Sequence, residues 1–184
     1  MRSSVRFFPL NLYQRLMHMK KLLLTFLMAV SVLGYSQTDT AQIVVPSRVN
    51  SVQALSKPYV ILISADGFRH DYAKKYNAQN ILKLAEHGVS AKAMIPGYPS
   101  ITGPNHYTMI TGQYPSHTGF VDNYFYDKKR NDYFGMSLQN KISDGTWLGG
   151  IPLWSLAEQQ GTLAASLFWV ASNSDAGGTR PTYY

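Results

Sequence analysis

Tyr59-Val-Ile-Leu-Ile-Ser-Ala-Asp-Gly-Phe-Arg69 opens as a continuous apolar run rich in β-branched residues and then turns abruptly polar. A short run of this kind, closed by a glycine, predicts a strand at Tyr59 to Ser64 buried on both faces of a parallel sheet. Asp66 then lies just past the carboxyl end of that strand, the edge at which open α/β sheets bind ligands, and Gly67 lets the backbone turn behind it. An Asp in this place serves equally as an Asx turn or helix cap, so position alone leaves both readings open.

Working outward, the order continues as helix, strand, helix. Asn80 to His87 carries Ile81, Leu82, Leu84 and Ala85 at helical spacing, with Gly88 as the stop. Ser90 to Ile95 reads as a second strand ended by Pro96-Gly97, and Gly103 to Thr111 as a helix ended by Gly112. Tyr114 to Gly119 has turn chemistry, and Tyr124 to Asp144 reads as a polar aromatic insertion. Pro152 to Gln160 is predicted to be a helix stopped by Gly161, and Ala164 to Val170 a further strand. Alternation of this kind specifies an α/β fold, three layers deep, with helices on both faces of a mostly parallel sheet. Trp154, Phe168 and Trp169 read as core, and Lys128-Lys129-Arg130 as a solvated loop face.

Thr102 stands in front of Gly103 and Pro104, where a hydroxyl caps a helix and Pro is tolerated because first-turn N–H groups have no intrahelical partner. A helix N-terminus also favours phosphate, and its dipole favours an alkoxide over an alcohol. Taken alone, a Thr before Gly-Pro is far more often a cap than a nucleophile, and Asp122-Asn123 is an ordinary turn pair.

Together these segments form an ordered set. Asp66-Gly67-Phe68-Arg69, Thr102 with Pro104-Asn105-His106-Tyr107, Thr111-Gly112-Gln113-Tyr114-Pro115, His117, Gly119 and Val121-Asp122-Asn123 resemble the nucleotide pyrophosphatase/phosphodiesterase family of the alkaline phosphatase superfamily. Trp147-Leu-Gly-Gly-Ile-Pro-Leu-Trp154, Phe168-Trp169 and Arg180-Pro-Thr-Tyr-Tyr184 continue the pattern in the same order, so the resemblance covers most of residues 58 to 184. It implies an alkaline-phosphatase-like fold and hydrolysis of phosphate diesters through a phospho-threonine at a two-zinc site. It further implies Thr102 as nucleophile, Asp66 and Thr102 as zinc ligands, and the Asn123 amide with the Gly103 N–H as donors to phosphate oxygens.

The chemistry asks for those residue types. Phosphoryl transfer needs a nucleophile, a means of holding it ionised and positive charge for the oxygens that gain charge. Zinc bound to a hydroxyl oxygen lowers its pKa as it does that of water. His106 and His117 are read as packing or hydrogen-bonding residues, because the family takes its histidine ligands from further along the chain. Two departures stand out. The family commonly has Phe after the nucleophile, where a nucleobase stacks, and this chain has Gly103; Ile101 stands where Lys is frequent. Loss of the ring removes the stacking face for a base, which counts against a nucleotide as substrate and leaves a lipid headgroup diester, a sugar nucleotide or a monoester open.

Residues 1–36 read as targeting sequence. Leu22 to Leu33 is a twelve-residue apolar run behind Lys20 and Lys21, closing on Gly34-Tyr35-Ser36, which marks a signal peptide too short to span a bilayer. Met19 reads as the true start, with the residues before it an upstream extension. Removing 1–36 takes away five basic residues and no acid, so the formal charge of +7 falls to +2. With that charge and no basic aromatic stripe, nucleic acid is not expected as a structural partner, nor a membrane once the signal is removed. The absence of cysteine excludes disulfides and thiolate metal sites from an exported, periplasmic or secreted, chain. Residues 37–57 read as a linker and 58–184 as the N-terminal part of a catalytic domain. Tyr184 ends the chain without a cap or turn, so truncation is expected, with the other zinc ligands beyond it. The rival readings are a phosphomonoesterase, phosphomutase or phosphonate hydrolase of the same superfamily, and a non-catalytic binding module or inactive gene fragment. A sulfatase is disfavoured by the missing Cys and by Ile-Thr-Gly-Pro after Ser100.

Overall fold

A computed structural model describes residues 16–23 and 41–184. Residues 16–23 are helical (α1), and most of the predicted signal peptide lies outside the described residues. None of the described helices is long and apolar enough to cross a membrane. Residues 42–184 make up one contact unit. It comprises α2 (Val52–Leu55), α3 (Tyr72–Lys75), α4 (Gln79–His87), α5 (Thr102–Thr111), α6 (Pro115–Thr118), strands β1 (Tyr124–Asp127) and β2 (Asp132–Gly135), α7 (Gln139–Ile142) and α8 (Leu153–Gln159). Single 3-10 turns stand at Gly145–Trp147 and Ala176–Gly178. The mixture of helix and strand agrees with the α/β class, α4 falls where periodicity puts it, and α5 and α8 fall where their prolines and terminal glycines put them.

Helix α5 is the central element. Gly112 ends it in the left-handed region at φ 67°, with its N–H on the Thr108 carbonyl, a conformation that glycine adopts without a steric cost. Tyr107 and Ile110 point from α5 into the core. There the rings follow one another: Tyr107 to Phe120 at 5.7 Å, Phe120 to Phe134 at 5.2 Å and Phe134 to Trp147 at 5.7 Å between centroids. Edge and tilted contacts of this sort are the preferred aromatic geometries.

The supposed insertion after Asn123 is therefore structural. β1 and β2 form an antiparallel hairpin in the register Phe125↔Phe134 and Tyr126↔Tyr133. Alternation puts Phe125 and Phe134 on the core side and leaves Tyr124, Tyr126 and Tyr133 exposed on the other. Lys128 and Lys129 are solvated, but Arg130 lies over the Trp147 ring at 4.4 Å.

Three strand expectations are corrected. Tyr59 to Ser64 is neither a strand nor buried: Tyr59, Val60 and Ile61 are 96%, 86% and 82% exposed. Ser90 to Ile95 forms no strand either. An extended segment becomes a strand only by hydrogen bonding to a neighbour, and none of the described residues pairs with these two. Ala164 to Val170 contributes a single parallel bridge, Ala165 to Tyr183. Phe168 is 84% exposed rather than core, since the chain turns left-handed there at φ 56°. Trp154 is buried, and Trp169 packs partly against the core.

The expected linker is likewise built in from residue 42. Ile43 N–H donates to the Tyr184 carbonyl at 2.7 Å and Tyr184 N–H to Ile43 at 3.0 Å, while Val45 N–H reaches Thr182 at 2.8 Å. The reason is a buried carboxylate. Glu158 Oε1 accepts from Ala164 N–H at 2.9 Å, Thr182 N–H at 2.7 Å and the Thr182 hydroxyl at 2.6 Å, and Oε2 lies 3.5 Å from Arg48. Arg48 in turn donates to the Arg180 carbonyl at 2.7 Å.

Removing Glu158 strands these donors, so Glu158→Ala should cost about 3 kcal/mol and Glu158→Gln, which keeps the Oε1 acceptor, clearly less. Urea unfolding of the two variants checks the order. At the core, the Tyr107 hydroxyl is buried with no hydrogen-bond partner among the described residues, and burial pushes its phenol pKa well up. Above about pH 10 the unfolded chain ionises there while the native state stays neutral, so stability falls as pH rises. Tyr107→Phe should leave neutral-pH stability unchanged or higher and flatten the alkaline fall in melting temperature.

Candidate active site

The first turn of α5 is capped from outside its own sequence. The N-cap position falls on Ile101, whose side chain cannot accept a hydrogen bond, and Thr102 is the first helical residue. This corrects the expectation that Thr102 is the cap. Asn123, delivered by the segment between Phe120 and β1, accepts the Gly103 N–H on its Oδ1 at 2.8 Å. One of the orphan donors of the helix start is satisfied in this way by a distant residue.

Freed from capping, the Thr102 hydroxyl turns elsewhere. Its Oγ1 donates to Asp66 Oδ2 at 2.9 Å, a contact between residues 36 positions apart. Thr102, Asp66, Gly103 and Asn123, picked out separately in the sequence, thus converge on one helix end. Thr102 is half-buried and Asp66 is exposed, so the hydroxyl remains open to a ligand. The dipole of α5 adds positive potential at that end.

Gly103 serves differently from the expectation. Its N–H is engaged by Asn123 instead of pointing at a phosphate, which orients the carboxamide and leaves Nδ2 as the donor the site can offer. A Cβ at Gly103 would meet Phe120 Cζ at 2.5 Å and Asn123 Oδ1 at 2.6 Å, so the position has no room for a side chain. A phenylalanine at 103 therefore cannot be added to this chain without moving Phe120.

The neighbouring histidines differ in kind. His106 is buried, with Nδ1 2.8 Å from the Thr102 carbonyl and Nε2 3.0 Å from Ser64 Oγ. Sequence reading gave it a packing or hydrogen-bonding role without naming the partners, and the four-residue spacing from Thr102 was the available signal for one of them. His117 is exposed, and its Nδ1 lies 3.5 Å from Ser116 Oγ. Asn105 Oδ1 accepts Gly97 N–H at 3.0 Å, tying the preceding loop to α5.

Asp66 and Thr102 offer two hard oxygens close enough to share one cation. They fit one part of a zinc shell. No cluster of three or more His, Cys, Asp or Glu able to hold a metal occurs among the described residues.

Known proteins are similar to this chain in sequence and in structure. The family model described as type I phosphodiesterase / nucleotide pyrophosphatase matches residues 60–184. Ectonucleotide pyrophosphatase/phosphodiesterase family member 3 of Mus musculus is 42% identical over 129 residues, which is 69% of this chain and 15% of that protein. Venom phosphodiesterase of Naja atra is 42% identical over 127 residues, 68% of this chain and 15% of its own. An uncharacterized pyrophosphatase/phosphodiesterase of Schizosaccharomyces pombe is 42% identical over 125 residues, 67% of this chain and 26% of its own. The chain thus spans about a quarter or less of these relatives. Among solved structures, human ectonucleotide pyrophosphatase/phosphodiesterase 5 matches with a TM-score of 0.60 at 29% identity, over 65% of this chain and 32% of that one. An inactive threonine-to-alanine variant of the murine protein, in complex with AMP, matches with a TM-score of 0.60 at 26% identity, over 65% and 32%. Residues 60–184 carry both the family match and the converging Asp66, Thr102, Gly103 and Asn123, so the chain belongs to the type I phosphodiesterase/nucleotide pyrophosphatase family of enzymes.

Proposed function

We propose that this chain carries the nucleophile-bearing part of an exported, metal-dependent phosphodiesterase/pyrophosphatase acting on small phosphate diesters, nucleotides among them. The observation that carries the reading is the Thr102 hydroxyl at the start of α5, unused as a cap and held 2.9 Å from Asp66. Standing one residue past the cap position, Thr102 has its side chain free for a partner outside its own helix. The murine relative made inactive by a threonine-to-alanine change and bound to AMP supports both the residue type and the ligand class. The ectoenzyme names of the relatives, together with the apolar run behind Lys20-Lys21, support export to the periplasm or beyond.

Thr102 Oγ1 attacks phosphorus, the bond from phosphorus to one ester oxygen breaks, and that oxygen leaves with the electron pair and, in net balance, the proton the hydroxyl gave up, so that a threonyl phosphate still bearing the other ester group stays on the chain. Water then cleaves the bond from phosphorus to Oγ1, restoring the hydroxyl and releasing a phosphate monoester. Asn123 Nδ2, oriented through the Gly103 N–H, donates to a non-bridging oxygen, and the N-terminus of α5 adds its dipole. Asp66 and Thr102 would hold zinc, which when bound supplies charge to keep the threonyl oxygen deprotonated. Two such ions are the full complement, with further ligands on other residues.

In the full-length protein, Thr102→Ala should abolish release of nitrophenol from bis(4-nitrophenyl) phosphate. Because the hydroxyl is not a cap, its loss should cost less than the about 1 kcal/mol typical of a lost cap. Wild-type turnover by a folded Thr102→Ala protein would sink the assignment. A wild-type protein that binds zinc but turns over no diester would favour the binding-module reading. Gly103→Ala should lower kcat at least tenfold and cost about 1–3 kcal/mol, as overpacking does, because the new methyl displaces Asn123 or Phe120; unchanged kinetics would show that Asn123 is not set by this contact.

A further inference from the structure

Asp66 reaches Thr102 from a segment with little else to hold it. Among the described residues, no sheet pairing fixes residues 58–65, and the side-chain hydrogen bonds that join residues 58–68 to the rest are Thr102 to Asp66 and Ser64 to His106. The second of these ends on a ring whose both nitrogens are committed. The Thr102 carbonyl can only accept, so the Nδ1 that lies 2.8 Å from it carries hydrogen. In the neutral ring Nε2 is then a bare acceptor, and Ser64 Oγ at 3.0 Å donates to it.

The ring is also held in place sterically. His106 is 7% exposed, the Trp169 ring meets it edge-on at 5.8 Å, and Trp169 Nε1 donates to the His106 carbonyl at 3.3 Å. A buried imidazole in one tautomer, clamped by an indole, makes a stiff strut between two chain segments.

We propose that His106 is a positioning residue for the reaction, linking Ser64 to the Thr102 carbonyl so that Asp66 is carried to the Thr102 hydroxyl. The inference rests on the reading of Thr102 as nucleophile. One end of the strut is two residues before Asp66, and the other is on Thr102 itself, so the two hydrogen bonds from Ser64 and Asp66 close a ring through the first turn of α5. Loss of either strut bond leaves Asp66 tethered by its own hydrogen bond alone. Reacting groups are sensitive to such loosening: a misplacement of about 1 Å can cost about a hundredfold in rate.

The test uses the full-length protein and four variants: Ser64→Ala, Ser64→Thr, His106→Asn and the double variant Ser64→Ala/His106→Asn. Asn places an amide near the position of Nδ1 but cannot reach Ser64. Ser64→Ala should lower kcat about ten- to a hundredfold on bis(4-nitrophenyl) phosphate with KM within about twofold. Ser64→Thr should restore most of the rate, and the double variant should be no slower than His106→Asn alone, because both break one link. Nitrogen-15 spectra should show His106 protonated at Nδ1, with the amide signals of Asp66 and Thr102 shifting in Ser64→Ala. Wild-type kcat in Ser64→Ala, or a ring protonated at Nε2 with Nδ1 bare, would overturn the proposal. If the wild-type protein turns over no diester, the functional reading fails by itself. The spectra then decide the strut: shifts at both Asp66 and Thr102 on loss of the Ser64 hydroxyl support it, and unmoved signals refute it.

Discussion

Everything at the site depends on who caps α5. A helix start has N–H groups with no intrahelical partner, and a local hydroxyl is their usual acceptor. Here Asn123 takes one of them through the Gly103 N–H, at 2.8 Å, from twenty residues downstream. That exchange changes what Thr102 can be. Its side chain is left to donate to Asp66, and a residue that sequence pattern alone would class as structural becomes available for chemistry.

The same exchange explains why the hairpin and the aromatic core belong to the site. Asn123 leads directly into β1, whose Phe125 stacks on Phe134 at 5.0 Å, and its carbonyl accepts Met136 N–H at 2.8 Å from just beyond β2. Phe134 is fully buried against Phe120, which in turn meets Tyr107 on α5. A carboxamide can cap a helix reliably only if its backbone is fixed relative to that helix, and this train of rings provides the fixing. Away from the site, Glu158 does a comparable job by polar means, collecting the segments around Arg48, Ala164 and Thr182.

Much of this was legible in the sequence, and the limits have physical causes. Asp66, Thr102, Gly103 and Asn123 could be chosen because they stand in an ordered set of motifs that resembles a phosphodiesterase family, whereas local pattern alone left Asp66 open between turn and ligand, Thr102 a cap and Asn123 a turn residue. Helices α4, α5 and α8 were legible from periodicity and their terminal glycines or prolines. What could not be read was pairing. The apolar run at Tyr59 specifies a strand that wants neighbours on both sides, but a sequence does not say whether a neighbour lies alongside. The 42–51 segment was misread for a related reason. Its polar composition looked like a linker, while its attachment comes from backbone groups and from the acceptor Glu158, more than a hundred residues away in the case of Arg48. The cap was misassigned because Ser or Thr at a helix start is so often local that a distant asparagine leaves no trace in the pattern.

Gly103 shows how closely cap and substrate wall are bound together. The residue gives its N–H to Asn123 and gives up its side chain to Phe120, whose ring edge sits 2.5 Å from where a Cβ would be. An aromatic residue beside Thr102 would offer a face to a bound base, at the expense of the contact that seats the asparagine. In this chain the two demands cannot both be met, because Phe120 is itself enclosed by Tyr107 and Phe134 and has nowhere to retreat. On the proposed reading a bound base would find its stacking face elsewhere around Thr102, because position 103 is committed to holding Asn123 in place.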